Sequence, residues 1–344
     1  AQDGREPVDG SVTVTATRLP TNTADVPATV TVITAERIAD EGVTDIKELV
    51  RYEPGVSVTR QPARFGAALG TTGRAGNEGF TIRGIGGNRV LTQVDGIRVP
   101  DGFSFGAQSA GRGDYVDLGL VKSVEILRGP ASALYGSDGL AGAISYVTSD
   151  PRDFLRDGQN IGGLVRATYS SADNELAETA ILAGGGDTFS AMAAYTRRDY
   201  KELENQGTVG GTGPARTKPN PADGRSDALL GRLVWEPGGG HRLRLTGEYL
   251  DTRLSTDVLS GRTATVELLK GRDTGQRKRA TLDWSWNGEG TIEFARAAAY
   301  WQDSEDVQFT DEDRTPAADR ERLNTFENRV YGFSGEIRAG FGTG

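Results

Sequence analysis

The chain has no cysteine and a single histidine, His241, among its 344 residues. The first absence excludes disulfides, thiolate nucleophiles and thiolate metal sites. The second leaves acid–base chemistry to carboxylates, and no Asp or Glu pair stands in a glycine-lined cleft motif. An enzyme is therefore the weakest functional reading. No run of eighteen apolar residues exists, so no transmembrane helix is expected. A β-barrel escapes that test, because only alternate residues of its strands face lipid. The net charge of −9 supplies no basic footprint for a nucleic acid.

Glycine is abundant: 48 residues, about twice ordinary usage, which points to many turns. It punctuates the stretch from Gly79 to Thr148 most heavily. Four β-branched runs there (Phe80 to Ile85, Arg89 to Val94, Val121 to Leu127, Ala143 to Thr148) alternate with Gly, Asp and Pro. That grammar predicts strands joined by tight turns, with a brief helix at Pro130 to Tyr135 closed by Gly136. No nucleophile–base pair, metal-ligand spacing or phosphate loop lies in it.

The N-terminal AQDGREP reads as a mature end left by signal-peptide removal, and hence as an exported chain. Residues 1–20 are expected to be flexible. Within them Ser11, Val12, Thr13, Val14, Thr15 and Ala16 alternate as a short strand, set apart by Arg18-Leu19-Pro20. It is either a peptide that adds to a partner's sheet edge or the first strand of the domain. Further strands are expected at Val30 to Thr34 and Val56 to Arg60, with helices at Ala35 to Asp40 and Asp45 to Tyr52. The stretches Gln61 to Glu78 and Pro100 to Gly113 have no periodicity and read as long loops. They carry Arg64, Phe65, Arg74, Phe103, Phe105 and Arg112, with Tyr115 just beyond. Aromatic and Arg side chains on glycine loops suit a planar or anionic ligand, or equally a packed wall.

After Asp150-Pro151 the alternation lengthens. Eight two-faced segments fall near 161–171, 175–184, 187–200, 224–236, 241–253, 276–287, 290–302 and 328–341. Leu243, Leu245 and Tyr249 oppose Arg242, Arg244, Thr246 and Glu248; Ala280, Leu282, Trp284 and Trp286 oppose Thr281, Asp283 and Ser285. Short turns alternate with long polar connections at Lys201 to Asp223, Leu254 to Gly275 and Asp303 to Glu327, the signature of an outer-membrane barrel. Trp235, Trp284, Trp286 and Trp301 are expected at strand ends, in an interfacial girdle. Arg296 breaks the pattern by sharing parity with Ile292 and Phe294. The acidic run Asp311-Glu312-Asp313 reads as a solvated loop, and His241 as a satisfied turn residue. Eight strands make too narrow a barrel to hold about 150 residues. The chain is thus expected to be the first part of a longer protein.

The motifs IRGIGGNRVLTQVDGIRV and VEILRGPASALYGSDGLAGAISYVT resemble the plug signatures of TonB-dependent outer-membrane receptors. The resemblance implies an α+β plug domain followed by antiparallel transmembrane β-barrel strands. About eight of about 22 strands would lie within this chain. It implies a flexible N-terminus at 1–20 with a TonB box at 11–16, a plug at 21–152 and the first part of the barrel at 153–344. Arg83 of IRG and Arg128 of LRGP match the plug arginines that the family locks onto barrel glutamates, which would lie beyond residue 344; Glu125 is a candidate local partner or an ordinary surface pair. The segments YEPGVSVTR and GRGDYVD look most like the haem and haemoglobin branch. The implied function is TonB-dependent import across a Gram-negative outer membrane. Its partners would be TonB with its inner-membrane energising complex, the membrane's lipid and lipopolysaccharide, and a haem-carrying protein or a siderophore. No cofactor is required; haem or a ferric chelate would be the transported ligand. The branch often holds haem between histidines, which this plug lacks. A tyrosine such as Tyr115 could serve instead. Passive pore, adhesin and signalling receptor are the competing readings; an open pore needs no plug.

Overall fold

The computed structural model describes residues 12–13, 21–22, 29–58, 79–105, 108–110, 116–130, 139–288 and 290–340. In the N-terminal part, β1 (Val12–Thr13) pairs antiparallel with β2 (Thr21–Asn22). A mixed sheet then takes β3 (Thr29–Thr34), β7 (Val90–Val94), β8 (Ile97–Arg98), β11 (Val121–Arg128) and β12 (Gly142–Thr148). Its order is β3-β11-β12-β7-β8, with β12 and β7 parallel. A smaller sheet joins β4 (Val56–Val58), β5 (Phe80–Ile82) and β6 (Ile85–Gly86). The helices are α1 (Ala35–Asp40) and α2 (Ile46–Leu49). Asp45 caps α2 by accepting the Glu48 N–H at 2.7 Å, and the helix is a single turn, shorter than the sequence suggested. Ile33, Ile82, Val94, Val124, Ile126 and Ile144 are buried together as the core.

Two expectations change here. The run Phe80 to Ile85 is not one strand but a hairpin, with Arg83 at φ 50° and Gly84 at φ 82° between paired Ile82 and Ile85. The second loop holds a ribbon of β9 (Phe103–Phe105) against β10 (Gln108–Ala110). The first loop and the helix expected after Pro130 lie outside the described residues.

Eight strands follow: β13 (Ile161–Ser170), β14 (Glu175–Gly185), β15 (Phe189–Lys201), β16 (Ala222–Gly238), β17 (His241–Asp257), β18 (Val266–Asn287), β19 (Ile292–Arg314) and β20 (Arg320–Ala339). They form one antiparallel sheet in sequence order. The face turned from the plug carries Leu229, Leu233, Trp235, Leu245, Leu282, Tyr331 and Phe333, all exposed. The face toward the plug carries Arg232, Thr246, Arg279, Asp283 and Gln302, all buried. Apolar outside and polar inside is the arrangement of a barrel wall in lipid.

Cross-strand register locates the bilayer. The rung His241–Trp286 opens the apolar band, and the rung Leu229–Tyr249–Lys278 closes it. Eight residues of β17 separate them, about 27 Å along the strand and about 20 Å of depth at a usual tilt. Beyond lies an outward belt of ion pairs, Arg197–Asp199 and Arg225–Asp227 at 2.6 Å and Arg253–Asp251 at 2.9 Å.

Two of the three expected long loops are largely strand. Residues 266–275 and 303–314 extend β18 and β19, leaving 202–221 as the only long connection on that side among the described residues. These extensions run past the apolar band, so both faces are polar and hydrophobic alternation cannot reveal them. Asp311, Glu312 and Asp313 therefore lie in β19, not in a solvated loop; Glu312 is buried and receives Arg320 at 2.7 Å. Trp301 lies within β19 rather than at its end, for the same reason. A bulge between Ile292 and Phe294 takes Ile292 out of the parity of Arg296, while Phe294 keeps it, and Arg296 reaches Asp283 at 2.6 Å on the inner face.

Candidate functional site

The plug meets the wall through charge. Asp95 and Gly96 form the tip of the β7–β8 hairpin, both at positive φ (52° and 79°). Aspartate tolerates that conformation and Gly prefers it, which is why a D-G pair turns here. The tip pushes the Asp95 carboxylate against the wall. Its oxygens receive Arg232 of β16 at 2.8 Å, Arg279 of β18 at 3.2 Å, and the Thr148 hydroxyl and N–H at 2.6 and 2.9 Å. Burial opposes ionisation of this carboxyl, but Arg232 and Arg279 outweigh it and hold it well below the usual carboxylate range.

Arg232 is fully buried and uses all five of its donors. Nε donates to Thr246 Oγ1 (3.1 Å), Nη1 to the Thr148 and Ser149 carbonyls (3.1 and 2.7 Å), and Nη2 to Asp95 and Thr148 Oγ1. A lysine offers three donors on a point charge and could not fill this fork. Arg279 donates to Glu248 at 2.5 Å and to the Val94 carbonyl. Two further plug carboxylates repeat the scheme. Asp150 receives Arg242 at 2.7 Å, with Arg232 and Arg244 each at 3.8 Å. Asp117 receives Arg198 of β15 at 2.5 Å, and Arg198 also holds Glu175 at 2.8 Å.

On the described strands, plug acids meet wall arginines. Arg128 donates to Thr31 Oγ1 at 2.9 Å and pairs, buried, with Glu53 inside the plug rather than with Glu125. Arg83 is exposed at its hairpin tip, its N–H bonded to the Gly55 carbonyl at 2.7 Å. An arginine at positive φ is unusual, and such strain persists where the side chain is needed at that point. Among the proposed ligand residues, Phe103 is exposed, with its ring 6.0 Å from Phe326 of β20. Phe105 lies in β9. Arg64, Phe65, Arg74, Arg112 and Tyr115 lie outside the described residues, as do Ser11 and Val14, Thr15 and Ala16 of the proposed TonB box. His241 stacks on Trp284 and Trp286 at 6.0 and 5.9 Å and accepts the Trp284 indole N–H at 3.3 Å, a satisfied turn residue.

The sequence model of the TonB-dependent Receptor Plug Domain matches residues 22–143, the part that seats Asp95 and Asp117. The chain belongs to the TonB-dependent receptors. It is 32% identical over 254 residues to the haemoglobin and haemoglobin-haptoglobin-binding protein A of Haemophilus influenzae, covering 70% of this chain and 22% of that protein. Among solved structures it resembles the haemophore receptor HasR of Serratia marcescens (TM-score 0.64, 20% identity). That match covers 91% of this chain and 46% of the other. The iron transporter FrpB of Neisseria meningitidis gives 0.66 and 20%, over 91% and 45%. At such identity these two show the fold: a TonB-dependent receptor's plug with antiparallel barrel strands. The chain spans about a fifth of the haemoglobin-binding relative and under half of each solved receptor.

Proposed function

We propose that the protein is a gated importer of the Gram-negative outer membrane, driven by TonB, whose cargo is a large iron-containing ligand, haem taken from haem proteins. It is a transporter and not an enzyme. The observation that carries the gate is the buried Asp95–Arg232–Arg279 cluster, which ties the plug to the wall by ion pairs and hydrogen bonds, beside an apolar contact in which Leu120 joins Ile181, Met192 and Leu230 of the wall. Seating of this kind closes the path at rest. TonB would take the segment from Ser11 to Ala16 as an added strand; the pairing of Val12–Thr13 with Thr21–Asn22 supports its capacity to form one. Arg83 and Arg128 remain assigned to plug positioning, and Phe103 and Phe105, with Arg64, Phe65, Arg74, Arg112 and Tyr115, to the ligand face. The cargo assignment draws on the haemoglobin-binding relatives.

One observation favours a ferric siderophore as the second reading: the single histidine is engaged by two tryptophans at a turn, away from the ligand face. Haem titration of the complete receptor, followed at the Soret band, separates the two. A band shift saturating at micromolar haem is expected. No shift, with tight binding of a ferric chelate, would replace haem by the siderophore.

A further inference from the structure

The wall arginines that hold the plug are part of a longer series. Register aligns the inner faces of β16 to β19 into rungs, two residues or about 7 Å apart along the strand. Arg242 and Arg296 share the first rung through Ser285. Arg244 lies on the next, opposite Asp283; Arg232 on the third, opposite Thr246; Arg279 on the fourth, opposite Glu248; Arg277 on the fifth, opposite Leu250. The first five rungs from the turn side thus each carry an arginine, over about 27 Å of strand; the sixth, Ser226–Thr252–Gly275–Asp306, carries none.

The wall does not neutralise this series. On these rungs the four strands supply only Glu248 and Asp283 as carboxylates, with Glu236 at the lower rim. The remaining charge is met from the plug, by Asp95 at the middle rungs and Asp150 at the lower ones. Each plug carboxylate lies within reach of more than one arginine: Asp95 of Arg232 and Arg279, Asp150 of Arg242, Arg232 and Arg244. A carboxylate seated on arginines that already serve two positions is also what a moving carboxylate would meet.

We infer that this arginine ladder is the inner lining of the transport path and selects a carboxylate-bearing anion, with Asp95 and Asp150 occupying its rungs in the resting receptor. When the plug is displaced, the guanidiniums exposed at successive rungs hand the ligand's carboxylates toward the periplasmic turns. Adjacent sites of similar strength allow entry and release, where a single deep site would trap the ligand. The inference rests on the importer reading above and adds the chemical class that the path itself selects.

The test uses the complete receptor in cells with a functional TonB system, and two cargoes of one macrocycle: haem, with two free carboxylates, and its dimethyl ester. Arg244→Gln/Arg277→Gln removes two rungs, Arg244 at 3.8 Å from Asp150 and Arg277 at 3.4 Å from Glu248 of the wall, while Asp95 keeps Arg232 and Arg279 to seat the plug. The parent should import haem at least about tenfold faster than the ester, and the variant should bring that ratio toward one. Haem binding at the cell surface should stay unchanged, which reports a folded receptor. The Arg244→Lys/Arg277→Lys pair should restore most of the preference. A ratio unchanged in the glutamine variant, or equal rates for both cargoes in the parent, overturns the ladder while leaving import intact. A parent that imports neither cargo overturns the haem reading on which the ladder rests.

Discussion

Asp95 shows how one residue can decide the attachment of a domain. Its neighbours along the chain call for a turn, but its carboxylate completes a guanidinium that is otherwise fully buried. Removing one partner of a buried pair leaves an uncompensated charge, at a cost of about 3 to 5 kcal/mol. Asp95→Asn should therefore loosen the plug by several kcal/mol, somewhat less if Arg279 keeps its bond to Glu248. The pH dependence follows from the direction of the shift. A carboxyl held below its usual range contributes fully above about pH 4, where the unfolded group is ionised, and loses that contribution as pH falls further. The difference between parent and variant should be flat from pH 8 to 5 and shrink below about pH 4. Protease sensitivity of the plug in the purified receptor, measured across that range, is the check; a difference that instead grows on acidification would contradict the assignment.

At the scale of elements, the alternation of β13 to β20 was legible because lipid demands apolar residues on every second position. The inner face was legible only as polar. Arg232 sits inside the apolar-looking run LLGRLVW, and its carboxylate partner is 137 residues earlier in the chain, so no local pattern could pair them. The Asp95 contact was lost in the same way: D-G reads as turn punctuation whatever its carboxylate does. The lengths of β18 and β19 were hidden because paired strands in water need no apolar face. The turns were the most legible elements. Gly238, Gly239 and Gly240 all take positive φ (93°, 62° and 79°), and a Cβ on Gly240 would stand 2.1 Å from the Asn287 carbonyl. Gly240→Ala should accordingly shift the β16–β17 turn and destabilise the receptor by at least about 1 kcal/mol. Thermal unfolding in detergent measures this, with Gly186→Ala, where a Cβ meets nothing within 4 Å, as the neutral comparison.

The whole molecule couples a sheet that needs lipid to a domain that needs the sheet. The plug has its own apolar core, from Ile33 to Ile144, so its folding does not depend on the wall. Its position does, through Asp95, Asp117 and Asp150. A pull applied at the N-terminus is therefore resisted by these ion pairs together with the apolar contact of Leu120 with the wall. Deleting Ser11 to Ala16 from the complete receptor should abolish uptake while leaving ligand binding at the surface within about twofold of the parent. Unchanged uptake would remove TonB from the mechanism. The upper parts of β18 and β19 stand clear of the bilayer as paired strand, with Phe326 of the neighbouring β20 against Phe103 of the plug. A ligand arriving there meets side chains already fixed on a hydrogen-bonded fence. Little backbone freedom is lost on capture, so tight binding can be reached with a small contact area.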